Sequence, residues 1–265
     1  MKYQKKILAS VIIVNFNNAK YLTDSLKSVF NQSYKHKEVI VVDDFSTDNS
    51  IEVLKKFKKK IKLIKIKKKT KFGSFNQINS YYQGYLKSKG DFIFFLDSDD
   101  YFKKNKIGFL IQKFLNDKNI KLIFDLPIYK FKKKKVKKKF FQKKFLISSW
   151  PRFSPQSCIS IDRKFAKEIF KNLNIRKFET LWFDFRIASY SFIKNNNLHI
   201  VRKYLTYYRQ LDNSASKKYK TFSKIWWLRR KEAHKFVSYI SKKLNKKDRI
   251  TPDKIITKLI NSLIN

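Results

Sequence analysis

One cysteine, one methionine, four glycines and four prolines are all that this 265-residue chain holds of those types. Cys158 alone cannot close an intramolecular disulfide, which fits a reducing compartment. One cysteine and the scattered His36, His199 and His234 make no zinc pattern. No apolar run approaches the ~18 residues needed to span a bilayer. The basic start from Met1 to Ser10 leads into an apolar run that stops at Asn15, so no signal peptide is visible. A cytoplasmic, non-spanning protein is expected. The chain also lacks G-x-G-x-x-G and G-x-x-x-x-G-K-[ST], which argues against dinucleotide-binding and P-loop chemistry. Acid is scarce, at 20 Asp and Glu against 63 Lys and Arg, a formal net charge of +43. Such a charge attracts nucleic acid, acidic lipid or phosphate-bearing substrates. AT-rich coding is the favoured account of the total, since Lys, Asn, Ile and Phe abound while Ala, Gly and Pro are few.

What is present is concentrated in Gly90-Asp91-Phe92-Ile93-Phe94-Phe95-Leu96-Asp97-Ser98-Asp99-Asp100. A β-prone apolar run ends abruptly in three carboxylates. A run of this kind reads as a strand buried on both faces, as in a parallel sheet. Ligands of open α/β sheets bind just beyond the carboxyl ends of the strands. Carboxylates so close repel one another unless a cation or proton intervenes, and hard oxygen ligands suit Mg²⁺ or Mn²⁺. The plainer alternative is an acidic turn capping the next helix. An EF-hand does not fit, because counting from Asp97 its glycine and glutamate positions hold Phe102 and Gly108.

The rest of the first half alternates strand and helix. Ser10 to Asn17 reads as a first buried strand ending in amides, followed by helical spacing at Tyr21, Leu22, Leu26, Val29 and Phe30. Glu38 to Asp44 is a second buried strand, again ending in acids, with Ser46-Thr47-Asp48 as a helix start. Ile61, Leu63 and Ile66 among lysines suggest an edge strand. Gly73 marks a turn, Ser74 to Lys87 a helix, Ile107 to Leu115 another, and Leu122 to Asp125 a short strand. The pattern predicts an α/β fold with a mainly parallel, doubly wound central sheet flanked by helices. Right-handed crossovers put the strand ends on one side, so Asp43-Asp44 and Asp97 to Asp100 can share a crevice.

Three blocks carry a family resemblance: Val11-Ile12-Ile13-Val14-Asn15-Phe16-Asn17-Asn18, Val41-Val42-Asp43-Asp44-Phe45-Ser46-Thr47-Asp48-Asn49-Ser50 and Phe95-Leu96-Asp97-Ser98-Asp99-Asp100. In order and spacing the chain resembles glycosyltransferase family 2, whose members have the Rossmann-like GT-A fold. The resemblance is strong over about the first 125 residues. It implies a nucleotide-sugar donor across the strand ends, a UDP-sugar above others. Asn15, Asn17, Asp43, Asp44, Asp97 and Ser98 would then lie toward the donor, with Asp43 and Asp44 on base and ribose. Asp97, Asp99 and Asp100 would hold Mg²⁺ or Mn²⁺ on the diphosphate. It further implies an inverting transfer to a glycan or lipid-linked acceptor, in a bacterial surface-polysaccharide or lipid-linked glycan pathway. The chain departs from the family at Phe45, where glycine is frequent, and at Tyr81 and Tyr82, which replace an Arg-Asn pair.

The resemblance divides the chain into a GT-A domain over 1–216, with a donor half (1–125) and an acceptor half (126–216), and a basic amphipathic helical segment over 217–265. Phe131 to Lys144 reads as a solvated basic loop or hairpin, or as a contact for anionic lipid or a phosphate-bearing acceptor. Trp150 to Cys158 resembles the family's segment over the acceptor, and Asp162 is placed to cap a helix. An inverting transfer needs a base near the acceptor hydroxyl. The family's Glu-Asp pair is absent; by register with Arg186-Ile187-Ala188, Asp184 is the first candidate and Glu179 the second. The alternative is a surface ion pair, Asp184–Arg186 or Glu179–Lys177. Tyr204 to Ser216 resembles the closing strand and loop; Arg209 could grip donor phosphates or be structural. From Phe222 onward two readings stand, helices packed on the catalytic domain or peripheral contact with the anionic inner face of the membrane. A basic nucleic-acid-binding protein and an inactive GT-A domain are the competing functions, though no nucleic-acid-binding motif is recognisable and no specific nucleic acid is expected.

Overall fold

The computed structural model describes residues 7–139, 148–173, 177–212 and 219–264. Strands β1 (Ala9–Asn15), β2 (Lys37–Asp43), β3 (Lys62–Lys65) and β4 (Phe92–Asp97) run parallel in the order β3-β2-β1-β4. Among the described residues the sheet continues through β8 (Ile159–Asp162), β6 (Leu122–Lys130), β9 (Ile200–Arg209) and β5 (Tyr101–Phe102), with β7 (Lys135–Lys137) hairpinned on β6. β8 is antiparallel to both neighbours, while β6 and β9 run parallel.

The apolar runs are continuous because both faces are covered. Val11, Ile13, Val41, Phe94 and Leu96 point to one side, against α1 (Ala19–Phe30) and α4 (Lys106–Asn116). Ile12, Val14, Ile40, Val42 and Phe95 point to the other, against α3 (Gly73–Lys87), α5 (Arg163–Asn172) and α6 (Phe183–Asn195). This two-residue alternation on a doubly covered sheet is what a buried parallel sheet requires. Gly84 lets α3 lie close on β1: a Cβ there would stand 2.4 Å from Ile12 Cγ2.

Several boundaries differ from expectation. Gly73 is the first residue of α3 rather than a turn. The short strand ending at Asp125 continues to Lys130 through Pro127. The register with β9 shifts on either side of Leu126, and such an irregularity lets a proline without an N–H sit inside a sheet. Ser46-Thr47-Asp48 precedes α2 (Ser50–Lys55), with Asp48 Oδ1 accepting from Ser50 N at 3.0 Å. Asp162 caps α5, its Oδ1 accepting from Phe165 N at 3.0 Å. Of the basic run, Phe131 to Lys139 includes the β7 hairpin; Lys143 and Lys144, and Asn213 to Ser216, lie outside the described residues.

Residues 219–264 form α7 (Lys224–Lys243) and α8 (Pro252–Leu263). Ala233, Phe236, Val237 and Ile240 of α7 belong to the same apolar cluster as Phe183 and Phe185 of α6. No helix among the described residues is long and apolar enough to cross a membrane.

A buried ion pair sits inside the sheet. Lys106 Nζ lies 2.7 Å from Asp125 Oδ1 with both side chains fully buried. The ammonium also donates to Ser157 O and Thr206 Oγ1, each at 2.7 Å, and Thr206 Oγ1 donates to Asp125 Oδ2 at 2.8 Å. Removing one partner strands the other charge. Lys106→Met is therefore expected to cost about 3–5 kcal/mol of stability, with Lys106→Met/Asp125→Leu recovering most of the loss. Urea melts of the two variants measure this, and equal losses in both would show that the pair is not what holds this region.

Candidate active site at the strand ends

Parallel register sets the site. Asn15 pairs with Asp43 across β1 and β2, and Val14 pairs with Asp97 across β1 and β4. The three strands therefore end level, and their amide and acids emerge at one rim. Asn18 Nδ2 donates to Ser98 Oγ at 3.2 Å, tying the loop after β1 to the loop after β4.

On the β2 side, Asp43 is buried. Its Oδ1 accepts from Asn15 Nδ2 at 2.9 Å and its Oδ2 from Ser46 N at 3.0 Å. Asn17 Oδ1 accepts from Thr47 N at 2.8 Å, and Asn17 N donates to Ser46 Oγ at 3.0 Å. The loops after β1 and β2 are thus laced into one ledge. Asp44 accepts from Ser80 Oγ at 3.2 Å; burial pushes its carboxyl up to about 6, with Ser80 and Lys69 opposing. Phe45 has φ 62°, a left-handed conformation that a bulky residue rarely adopts and glycine adopts freely. Phe16 and Phe45 are both exposed on this ledge, and Lys69 Nζ stands 3.0 Å over the Phe16 ring. Neither phenylalanine was singled out in the sequence for chemistry.

On the β4 side, Asp97, Asp99 and Asp100 each offer an oxygen within 4.8 Å of the others. Asp97 Oδ1 accepts from Gln156 Nε2 at 2.7 Å and from Tyr81 Oη at 3.0 Å. Asp100 is fully buried, accepting from Ser157 Oγ at 2.5 Å and Arg209 N at 2.8 Å. Burial first, then the Asp99 charge, raises Asp97 to about 8. Burial likewise raises Asp99 and Asp100, and for Asp100 the charges of Asp99 and Asp97 add to it. Three acids in a desolvated corner, each resisting ionisation, form a donor set that a divalent cation would complete. All donors are hard oxygens, so the residues fit Mg²⁺ or Mn²⁺.

Arg209 sits beneath this loop. Its guanidinium donates to Asp99 O at 2.6 Å and to Asp24 Oδ2 at 2.5 Å, between the rings of Tyr21 and Tyr101. Of the two roles open to Arg209, phosphate grip or structural support, these contacts are those of support for the acidic loop.

Asp184 lies in the first turn of α6. The adjacent Phe183 ring stacks on Tyr81 at 5.1 Å, and Tyr81 in turn bonds Asp97, so packing fixes where α6 begins relative to the acid cluster. Asp184 accepts from Phe185 N at 2.7 Å; burial raises its pKa, and Arg229 of α7 opposes this. Its charge also helps to raise Asp97 and Tyr208, so it lies within electrostatic reach of both. Glu179 is exposed on the preceding loop, its carbonyl accepting from Ser74 Oγ. Arg186 is fully buried rather than part of a surface pair. Its guanidinium donates to Leu181 O at 3.0 Å and to Lys177 O and Phe178 O, each at 2.7 Å, shaping the Glu179 loop. Tyr81 and Gln156 are direct partners of Asp97 that sequence reading did not place there. For Tyr81 the signal was its departure from the family's Arg-Asn pair.

A sequence model described as Glycosyl transferase family 2 matches residues 10–171. The glycosyltransferase GlyG of Streptococcus pneumoniae is 34% identical over 106 residues, covering 40% of this chain and 35% of its own. Poly(ribitol-phosphate) beta-N-acetylglucosaminyltransferase TarS of Staphylococcus aureus is 33% identical over 100 residues, covering 37% and 17%. The chain thus aligns to well under half the length of these relatives. A solved structure of TarS with UDP-GlcNAc superposes with TM-score 0.60 at 16% identity, covering 90% of this chain and 70% of that one. The mannosyltransferase PcManGT of Pyrobaculum calidifontis, solved with GDP-Man and Mn²⁺, gives TM-score 0.56 at 13% identity, covering 96% and 69%. At these identities the structural likeness is one of fold, and that fold is GT-A.

Proposed function

The chain belongs to glycosyl transferase family 2, and from that premise we propose that it moves a sugar, with inversion, from a nucleoside-diphosphate donor to a hydroxyl of a glycan or lipid-linked acceptor. The observation that carries this reading is the level ending of β1, β2 and β4, which brings Asp43-Asp44 and Asp97 to Asp100 to one rim, with the start of α6 packed toward it through Phe183, Tyr81 and Asp97. The donor's base and ribose lie on the ledge of Asn15, Asn17, Asp43 and Asp44, where Phe16 and Phe45 offer ring faces for stacking. The diphosphate lies toward Ser98 and the acid cluster. Asp97 and Asp99 would hold the cation, with Asp100 behind them. Bound Mg²⁺ or Mn²⁺ supplies positive charge against the leaving diphosphate. Asp184 takes the proton of the acceptor hydroxyl as its oxygen bonds to the anomeric carbon and the sugar–phosphate bond breaks. Arg209 positions the acid loop through Asp99 O and Asp100. A UDP-sugar donor agrees with the UDP-GlcNAc that TarS was solved with, and a polymeric acceptor with the poly(ribitol-phosphate) in its name. A cytoplasmic location, with peripheral contact at the inner face of the membrane, goes with this reading.

A hydrolysis screen across nucleotide sugars, with and without Mn²⁺, tests this. Slow, cation-dependent release of nucleoside diphosphate from one donor is expected. Release from none, together with nucleic-acid affinity that collapses steeply with salt, would favour a charge-driven nucleic-acid binder instead.

The acid cluster also predicts a pH dependence. Cation binding needs ionised carboxylates, and Asp97 is held at about 8 without a cation. Affinity for Mn²⁺ with UDP should therefore rise from about pH 7 to about pH 9, where the nucleotide phosphate is already ionised, and binding should release protons. Calorimetry in two buffers of different ionisation enthalpy measures the release. A flat profile with no proton release would remove Asp97 from the ligand set.

A further inference from the structure

We propose that α8, with the start of α7, is a docking surface for a bilayer containing anionic lipid. The helix is seated with its polar side inward. Asp253, Thr257 and Asn261, spaced four apart, are its buried residues. Asp253 meets Arg230 and His234 of α7, and Asn261 Nδ2 donates to Trp227 O at 3.1 Å. At 3.6 residues per turn the opposite face carries Ile255, Ile256, Leu259 and Leu263. All four are exposed, Leu259 at 59% and Leu263 at 83%, and Ile250 just before the helix is exposed at 79%. A surface helix ordinarily shows the reverse arrangement. The Asn261–Trp227 bond brings the end of α8 beside the start of α7, where Phe222 and Ile225 are also exposed.

Charge identifies the occupant. Lys220, Lys224, Lys246, Lys247, Arg249 and Lys258 are exposed around this apolar face. The acids of the stretch are engaged elsewhere: Glu232 with Thr180, Asp248 with Lys254, and Asp253 with Arg230. A second copy would bring the same cations against one another in a chain of formal net charge +43. Nucleic acid takes up single apolar wedges between base steps, but it has no continuous apolar layer to receive the row Ile250, Ile255, Ile256, Leu259 and Leu263. A bilayer with anionic headgroups takes both, the apolar residues at the acyl boundary and the lysines at the phosphates. The inference stands independently of sugar transfer, though α7 is common to both regions, since it packs on α6 through Phe236 and carries Arg229, whose charge acts on Asp184.

The test uses the full chain and phosphatidylcholine vesicles with or without phosphatidylglycerol. Truncation before Phe222 would also strip Phe236 and Ile240 from the core, so exposed positions are changed instead. Ile255→Ser/Leu259→Ser/Leu263→Ser leaves the charge unaltered, and an unchanged melting temperature confirms its fold. Wild type should partition to the anionic vesicles, and the triple variant at least tenfold less. Leu259→Cys, labelled with an environment-sensitive fluorophore while Cys158 stays buried, should shift to the blue on those vesicles. Equal partitioning of wild type and triple variant would reduce the effect to general lysine attraction and overturn the proposal. So would no binding by wild type, or no spectral shift. Sedimentation equilibrium showing a wild-type dimer that the triple substitution dissolves, with no difference on vesicles, would assign the face to a second copy instead.

Discussion

Asp184→Asn should lower turnover by about 10²–10⁴ while leaving cation-dependent nucleotide binding unchanged. The substitution keeps the shape of the side chain and removes only its capacity to take a proton. Asp184 suits that task by position and environment. It starts α6, whose entry is fixed by Phe183 stacked on Tyr81. Burial raises its pKa from the ordinary carboxylate value, and Arg229 restrains the rise. A base must be ionised to act, so the rate should climb with pH through a value above the normal carboxylate range and level off beyond it. Glu179→Gln is the control, because Glu179 is exposed on a loop shaped by Arg186. If Glu179→Gln abolishes turnover and Asp184→Asn does not, the two assignments exchange.

Asp99→Asn should lower turnover by about 10²–10³ and remove the benefit of Mn²⁺ for UDP binding. Its oxygen is one of three converging within 4.8 Å, and its charge raises both Asp97 and Asp100. Neutralising it should therefore let Asp97 ionise more easily while weakening its grip on a cation. Titration of Mn²⁺ with UDP, followed by calorimetry, separates this from the Asp184 variant, which should bind normally. Retained cation dependence in Asp99→Asn would move the ligand role to Asp97 and Asp100.

Much of this was legible before any coordinates. Val11 to Val14, Val39 to Val42 and Ile93 to Leu96 are long, unbroken and β-prone, and only a sheet covered on both faces accommodates such runs. Their terminal amides and acids stood in sequence beside the strand ends, so one rim followed from topology. The helix cap at Asp162 was equally local. Less legible was anything fixed by long-range pairing. The short strand expected at Leu122 to Asp125 runs on through Pro127 only because of a register shift, and that shift depends on β9. Lys106, one of very many lysines, is distinguished only by Asp125, Ser157 and Thr206 gathering around it. Gln156 and Tyr81 meet Asp97 from distant segments. The amphipathic character of 217–265 was visible in sequence, and which side of α8 faces α7 was not, because Asp253 and Asn261 gain their partners only once α7 is in place.

Sequence by itself determined the parallel α/β core and the clustering of oxygen ligands at its edge, because both depend on residue type and short spacing. Tertiary structure decided which acids are desolvated, which arginine is already engaged and which helix face is left to the solvent. Those properties arise from neighbours brought together across the chain, and burial of a charge or a methyl group has no value until its surroundings exist.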